Sequence, residues 1–251
     1  ITPNFDRFAK ASVNFTSAYA PMAFCTPSRC TTFTGLYPHT GGHRSIWHLL
    51  QRHERNFFQD LKEAGYRNVV YGKNDLIDAA WARECFDELV PRVKPDRPGR
   101  TSGPPPGSGL ADAMYQGCRH GGDHDYDWAC VESALNFLAE KHDKPWCIFK
   151  PLSFAHPTYM VDEPFFSMHD RSKVPAPVSI EYGDKRIYRR VLHQAYGGDR
   201  LTDAALREIK ATYFGMVSRS DHDFGRVLGA LADRGLEQDT VVAMFSDHGD
   251  Y

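Results

Sequence analysis

Apolar residues recur along this chain in two rhythms, a helical spacing and short unbroken runs, and the two alternate. The first unit opens at Asn56-Phe57-Phe58-Gln59, where Asn56 and Gln59 have the spacing of a capping box. Phe58, Leu61 and Ala64 share a helical face, Gly65 supplies a stop, and the apolar run at residues 68–71 follows at once. A second helix is predicted over residues 126–141, with Val131, Ala134, Leu135 and Leu138 as its stripe, leading into the run Trp-Cys-Ile-Phe at 146–149. A third begins near Thr202, carries Leu206, Ile209, Tyr213, Met216, Phe224, Val227 and Leu231 to Gly235, and feeds the run at residues 240–245.

Repeated helix-then-strand units predict an α/β fold with a largely parallel sheet covered by helices on both faces. Residues 94–123, rich in Pro, Gly, Arg and Asp, are expected as a long surface insertion within that domain, and residues 162–199 as a loop over the active face. Ligands of open α/β sheets bind beyond the carboxyl ends of the strands. Here the three predicted strands run into Gly72-Lys73-Asn74-Asp75, His156-Pro157 and Asp247-His248-Gly249-Asp250. Ionisable groups delivered to one edge by three strands point to an enzyme.

Composition narrows the field. The chain has 251 residues, 41% of them hydrophobic, which suffices for one large core. A net charge of −2 provides no global basic field, so nucleic acid is not an expected partner and any anionic substrate must be held by a few placed cations. No apolar run approaches the roughly 18 residues of a membrane span. The six cysteines form no Cys-x-x-Cys pair, which argues against a structural zinc site and a disulfide scaffold.

The candidate chemistry centres on Cys25-Thr26-Pro27-Ser28-Arg29. Thr26 can cap a helix and Pro27 suits its first position, so Cys25 lies against a helix amino end, where negative charge is favoured. Arg29, one turn in, can point back to the same spot. His39, His43 and His48 suggest a metal cluster, but Gly41-Gly42 interrupts any helix that would align them. Successive residues of a helix face different directions, so Asp221-His222-Asp223 is not a triple ligand set. His43-Arg44 is a candidate for a substrate rim.

Cys-x-Pro-x-Arg, followed by Thr34-Gly35 and Pro38, resembles the signature of the type I sulfatases, within the alkaline phosphatase-like superfamily. The resemblance covers nearly the whole chain and implies a sulfuric ester hydrolase in which Cys25 is converted to formylglycine by a maturation enzyme. It implies electrostatic anchoring by Arg29 and Lys73, protonation of the leaving oxygen by His156, and a divalent metal, usually calcium, on Asp247, His248 and the modified residue 25. A sulfated small molecule or carbohydrate would be the substrate, and a periplasmic, secreted or lysosomal location would follow family habit.

The pattern departs from the family after Lys73, where Asn74-Asp75 replaces an aromatic residue and a histidine that serves as base. Asp75, another histidine or a different order of proton transfers are the open alternatives. The resemblance further implies a chain truncated at both ends, lacking an upstream aspartate pair, a downstream lysine and a carboxy-terminal subdomain; such a fragment is expected to be inactive. A phosphonate monoester or phosphodiester hydrolase of the same superfamily, and a non-catalytic pseudoenzyme, are the rival expectations.

Overall fold

The computed structural model describes residues 1–96, 99–104, 107, 109, 114–121, 124–175, 187–195 and 198–249. In chain order its elements are α1 (Pro3–Lys10), α2 (Cys25–Thr34), α3 (Pro38–Gly41), α4 (Phe57–Glu63), β1 (Arg67–Val70), β2 (Arg100–Thr101), β3 (Tyr115–His120), α5 (Tyr126–Leu138), β4 (Trp146–Phe149), β5 (Tyr159–Asp162), α6 (Ile187–Ala195) and α7 (Asp203–Asp233). The chain divides into two compact units. One comprises Ile1–Phe5, Asp96–Asp125 and Phe154–Phe224; the other comprises Asp6–Pro95, Tyr126–Ser153 and Gly225–Tyr251.

The second unit is built on the parallel pair β1–β4, with Arg67 opposite Trp146 and Val70 opposite Phe149. Alternation along the strands sends side chains to two faces, and both faces are covered. Val70, Cys147 and Phe149 pack with Cys30 and Phe33 of α2 and Phe58 of α4. Val69, Tyr71, Trp146 and Ile148 pack on the other side against Cys130, Ala134 and Phe137 of α5. Helices thus lie on both faces of the pair, as the apolar runs predicted. Asn56 makes the expected capping box, accepting from the N–H groups of Phe58 and Gln59 while the Gln59 side chain reaches back. On the far side of β1 the chain returns at residues 87–88, where the Val70 N–H donates to the Glu88 carbonyl at 2.9 Å.

Glu88 then gathers the polar groups around β1. Its carboxylate accepts from Arg92 (2.6 and 2.7 Å), Arg67 (2.5 Å) and the Tyr71 hydroxyl (2.6 Å). The hydrogen bonds from Arg92, then those from Tyr71 and Arg67, lower its pKa to about 2 against the pull of burial.

In the first unit β3 pairs antiparallel with β2 and parallel with β5. Residues 94–123, expected as a surface insertion, therefore carry two strands among their described residues, and Tyr115 and Cys118 are buried. Residues 97–98, 105–106, 108, 110–113 and 122–123 of that segment lie outside the described residues, as do 176–186 and 196–197 of the expected loop at 162–199. Tyr115, Tyr159, Val161 and Met216 form the apolar centre. Beside it Arg119 and Arg219 both bind Asp162, at 2.9 and 2.6 Å, and Arg219 holds Asp223 at 3.1 Å. Asp221 accepts from the backbone N–H groups of Asn4 (3.3 Å) and Phe5 (2.7 Å), capping α1. Both aspartates of the Asp221-His222-Asp223 triplet are thus spent on structure.

The third expected strand does not form. Residues 240–245 join no ladder among the described residues, although Val242 still packs on Leu138, Ala230 and Leu231. A strand needs a neighbour for its backbone groups, which apolar sequence alone does not supply. The six cysteines, all among the described residues, form no disulfide. Among the described residues no helix is long and apolar enough to cross a membrane.

Glu88 yields a pH-dependent expectation. Its folded pKa lies below the unfolded one, so its stabilisation is present above about pH 4.5 and disappears as pH falls toward about 2. In thermal melts, Glu88→Gln should lower the midpoint most near neutrality, and the gap from wild type should close between pH 4.5 and about 2.

Candidate active site

Helix α2 begins at Cys25. Phe24 is its extended N-cap residue (φ −141°, ψ 140°) without a side-chain cap, and the first turn closes when the Ser28 N–H donates to the Phe24 carbonyl at 3.1 Å. The cap expected at Thr26 is therefore absent: Thr26 lies inside the first turn, and its hydroxyl donates to the Ile46 carbonyl at 3.3 Å. Pro27 sits third in the helix, still within the turn whose N–H groups have no helical partner. Gly35, at φ 73°, ends the helix.

At the carboxyl end of β1 the chain passes into Gly72 and Lys73. Gly72 has φ 149°, and any Cβ there would run into the backbone carbonyl of Pro151, so only glycine fits this approach. The Lys73 N–H donates to that carbonyl at 2.8 Å, which continues the β1–β4 ladder to the site.

Arg29 ties these pieces together from the buried side of α2. Its Nε donates to Asp247 Oδ2 at 2.9 Å, and its Nη1 donates to the carbonyls of Lys73 and, at 2.9 Å, Asn74. The Ser28 hydroxyl donates to the Asp247 carbonyl, and Asp247 Oδ1 accepts from the His248 N–H at 3.0 Å. His248 Nδ1 faces the Gly249 carbonyl at 2.9 Å. A carbonyl only accepts, so Nδ1 carries a proton, and in the neutral ring Nε2 presents its lone pair. That nitrogen lies 3.2 Å from Cys25 Sγ. The donor atoms of Cys25, Asp247 and His248 all fall within 4.8 Å of one another. Lys73 Nζ stands 3.1 Å from Asp75 Oδ2.

The thiol of Cys25 is held above its ordinary pKa. Burial is the main cause, and the carboxylates of Asp247 and Asp75 add to it against the opposing charges of Lys73 and Arg29. At neutral pH residue 25 is therefore a protonated thiol and a weak nucleophile as it stands.

Five of the six residues singled out in the sequence thus meet in the second unit. The sixth, His156, belongs to the first unit; it is exposed, and its Nδ1 donates to the Pro157 carbonyl. Asp250 lies outside the described residues. His43 is no rim residue, being buried with Nδ1 donating to the His48 carbonyl at 2.7 Å and Nε2 against Glu54 at 3.0 Å. Its ring braces the loop from Gly41 to Glu54. Ser28 was missed: one hydroxyl inside a helical turn gives no local hint of an Asp247 carbonyl far along the chain.

A model of the sulfatase family matches residues 1–251. The chain belongs to the sulfatase family. It is 26% identical over 288 residues to a sulfatase of Formosa agariphila, covering 99% of this chain and 54% of that protein. To the multifunctional alkaline phosphatase superfamily protein PehA of Trinickia caryophylli it is 23% identical, covering 99% of this chain and 57% of that protein. Among solved structures, the phosphonate monoester hydrolase of Agrobacterium radiobacter superposes with a TM-score of 0.70 at 20% identity, over 95% of this chain and 56% of that one. A structure in complex with its substrate D-glucosamine-2-N,6-O-disulfate gives 0.65 at 19% identity, over 94% of this chain and 58% of that one. The chain spans about half the length of the curated relatives it matches.

For this sulfatase-family site, Arg29 is the structural test. Arg29→Ala should destabilise the complete protein by about 3 kcal/mol in urea titrations, since it strands a partly buried carboxylate and two carbonyls. Arg29→Lys should recover little of that, because a single ammonium cannot span the three acceptors of the guanidinium fork.

Proposed function

We propose that the complete protein hydrolyses a sulfate ester with residue 25 as nucleophile, after conversion of Cys25 to formylglycine by a maturation enzyme. The observation that carries this reading is the convergence of Cys25, Asp247 and His248 at the amino end of α2, with Arg29 and Lys73 beside them. The raised thiol pKa supports it, because an unmodified Cys25 lacks the thiolate that a cysteine nucleophile needs. As its hydrate, a formylglycine would supply a hydroxyl that attacks sulfur and displaces the alcohol; the second hydroxyl would then expel sulfate, restoring the aldehyde that water rehydrates.

A divalent cation fits the donors at this cluster. Asp247 offers a carboxylate oxygen, and the Gly249 carbonyl holds His248 in the tautomer that offers Nε2. An oxygen at residue 25 would complete a set suited to calcium, while the imidazole also admits softer ions. Bound there, the cation would polarise the non-bridging oxygens of the ester.

The remaining work falls to the chain itself. Arg29 anchors Asp247 and the turn after β1, so that Lys73 and the metal-binding carboxylate keep their places. Lys73 offers its ammonium to the ester oxygens. Protonation of the leaving oxygen is assigned to His156 by the family resemblance; its Nδ1 donates to the Pro157 carbonyl. A sulfated small molecule or carbohydrate is the proposed substrate. Similarity in fold to a phosphonate monoester hydrolase supports a second reading, hydrolysis of phosphonate monoesters at the same site.

In the complete, matured protein, Cys25→Ala should reduce turnover of a sulfate ester by more than about 10²-fold, beyond the effect of losing one polar contact. Retention of more than about one hundredth of wild-type rate would remove residue 25 from the nucleophile's role. Asp247→Ala should abolish calcium binding in calorimetry, because it removes the carboxylate ligand of the Cys25–Asp247–His248 cluster. Steady-state rates on matched sulfate and phosphonate monoesters separate the two readings.

A further inference from the structure

We infer that Asp75 is a specificity-determining residue: its fixed carboxylate, paired with Lys73, admits singly charged esters and disfavours doubly charged phosphate monoesters. The inference rests on the ester-hydrolase reading above and deepens it.

Asp75 sits in a turn whose neighbouring residues are held by hydrogen bonds. It adopts φ 44°, a left-handed conformation that Asp, Asn and Gly tolerate far better than other residues. The turn that imposes this conformation is locked. Arg29 grips the carbonyls of Lys73 and Asn74. The Asn74 side chain spans the turn, donating to the Ile77 carbonyl at 2.5 Å and accepting from its N–H at 3.3 Å. The Leu76 carbonyl accepts from the Leu50 N–H at 2.9 Å. The Lys73 and Asp75 side chains are 34% and 28% exposed, so the pair is half-buried and not a fully solvated surface contact.

The charges around residue 25 are balanced. Lys73 and Arg29 act on the Cys25 sulfur as cations, Asp247 and Asp75 as anions. The Arg29 guanidinium is turned toward Asp247 and two carbonyls through Nε and Nη1, and Lys73 is the second cation of this cluster among the described residues. Asp75 already offsets that charge. A sulfate ester, a phosphonate monoester or a phosphodiester carries one negative charge, which Lys73 can still meet. A phosphate monoester carries nearly two above its second pKa of about 6, so the repulsion from Asp75 is almost doubled. At the intermediate dielectric of such a site, one extra unit of repulsion over several ångströms amounts to about tenfold in binding or rate.

The test compares the complete protein with Asp75→Asn and Asp75→Gly, both compatible with a positive φ. The probes are phenyl sulfate and phenyl phosphate at pH 8 and pH 5. At pH 8 each variant should shift the ratio of kcat/KM values toward the phosphate ester by about tenfold. At pH 5, where the phosphate ester has become a monoanion, the ratio should stay within about threefold of wild type. A merely structural Asp75 would lower both rates together and leave the ratio unchanged at both pH values. An unchanged ratio, an equal shift at both pH values, or loss of folding in both variants would overturn the inference. Wild type inactive on sulfate and phosphonate esters alike would overturn the proposed function instead. Calorimetric binding of methyl sulfate and methyl phosphate then reads the charge preference directly, with the same pH-dependent shift expected and its absence fatal.

Discussion

The guanidinium of Arg29 is the joint on which the candidate site depends. From one buried position in α2 it holds the Asp247 carboxylate, near the end of the described chain, and the carbonyls of Lys73 and Asn74 beyond β1. The planar fork suits this task because its donors diverge at fixed angles, so satisfying one acceptor sets the direction of the others. Without it a carboxylate and two carbonyls would lose their partners in a half-buried place, at a cost that no single apolar contact offsets. The helix, the strand end and the Asp-His turn are thereby held as one object.

That arrangement has chemical consequences for residue 25. Lying at the start of α2, the thiol is close to Lys73 and Arg29, yet burial and the two carboxylates outweigh them and keep it protonated. A site that used cysteine itself as nucleophile would favour the thiolate. Under the proposed reading an oxygen stands at this point, where the donor atoms of residue 25, Asp247 and His248 converge. The same two carboxylates make the pocket of charge nearly neutral in its own residues, so small differences in ligand charge carry weight.

Much of this was legible before any coordinates. Alternation of helical and apolar segments identified α4, β1, α5, β4 and α7, because those periods report a buried face directly. Cys25, Arg29, Lys73, Asp247 and His248 were recognisable from motif and strand-end position. Less visible were β3 and β5, since Tyr115–His120 interleaves Gly, Cys and Arg, and its burial is shared with the ions Arg119, Arg219 and Asp162. A strand stabilised by buried ion pairs does not announce itself as an apolar run.

The sequence by itself determined which segments could bury a face, where α2 stops at Gly35, and which residue types stand ready for anion and metal chemistry, because these depend on neighbours within a turn or two. Only the tertiary structure decided that Thr26 does not cap, that His43 is a brace, that residues 240–245 join no ladder among the described residues, and that Asp75 faces Lys73. Each of those outcomes turns on a partner distant in sequence or on a backbone angle set by such partners. A hydrogen bond, unlike an apolar stripe, is specified by where the second atom lies.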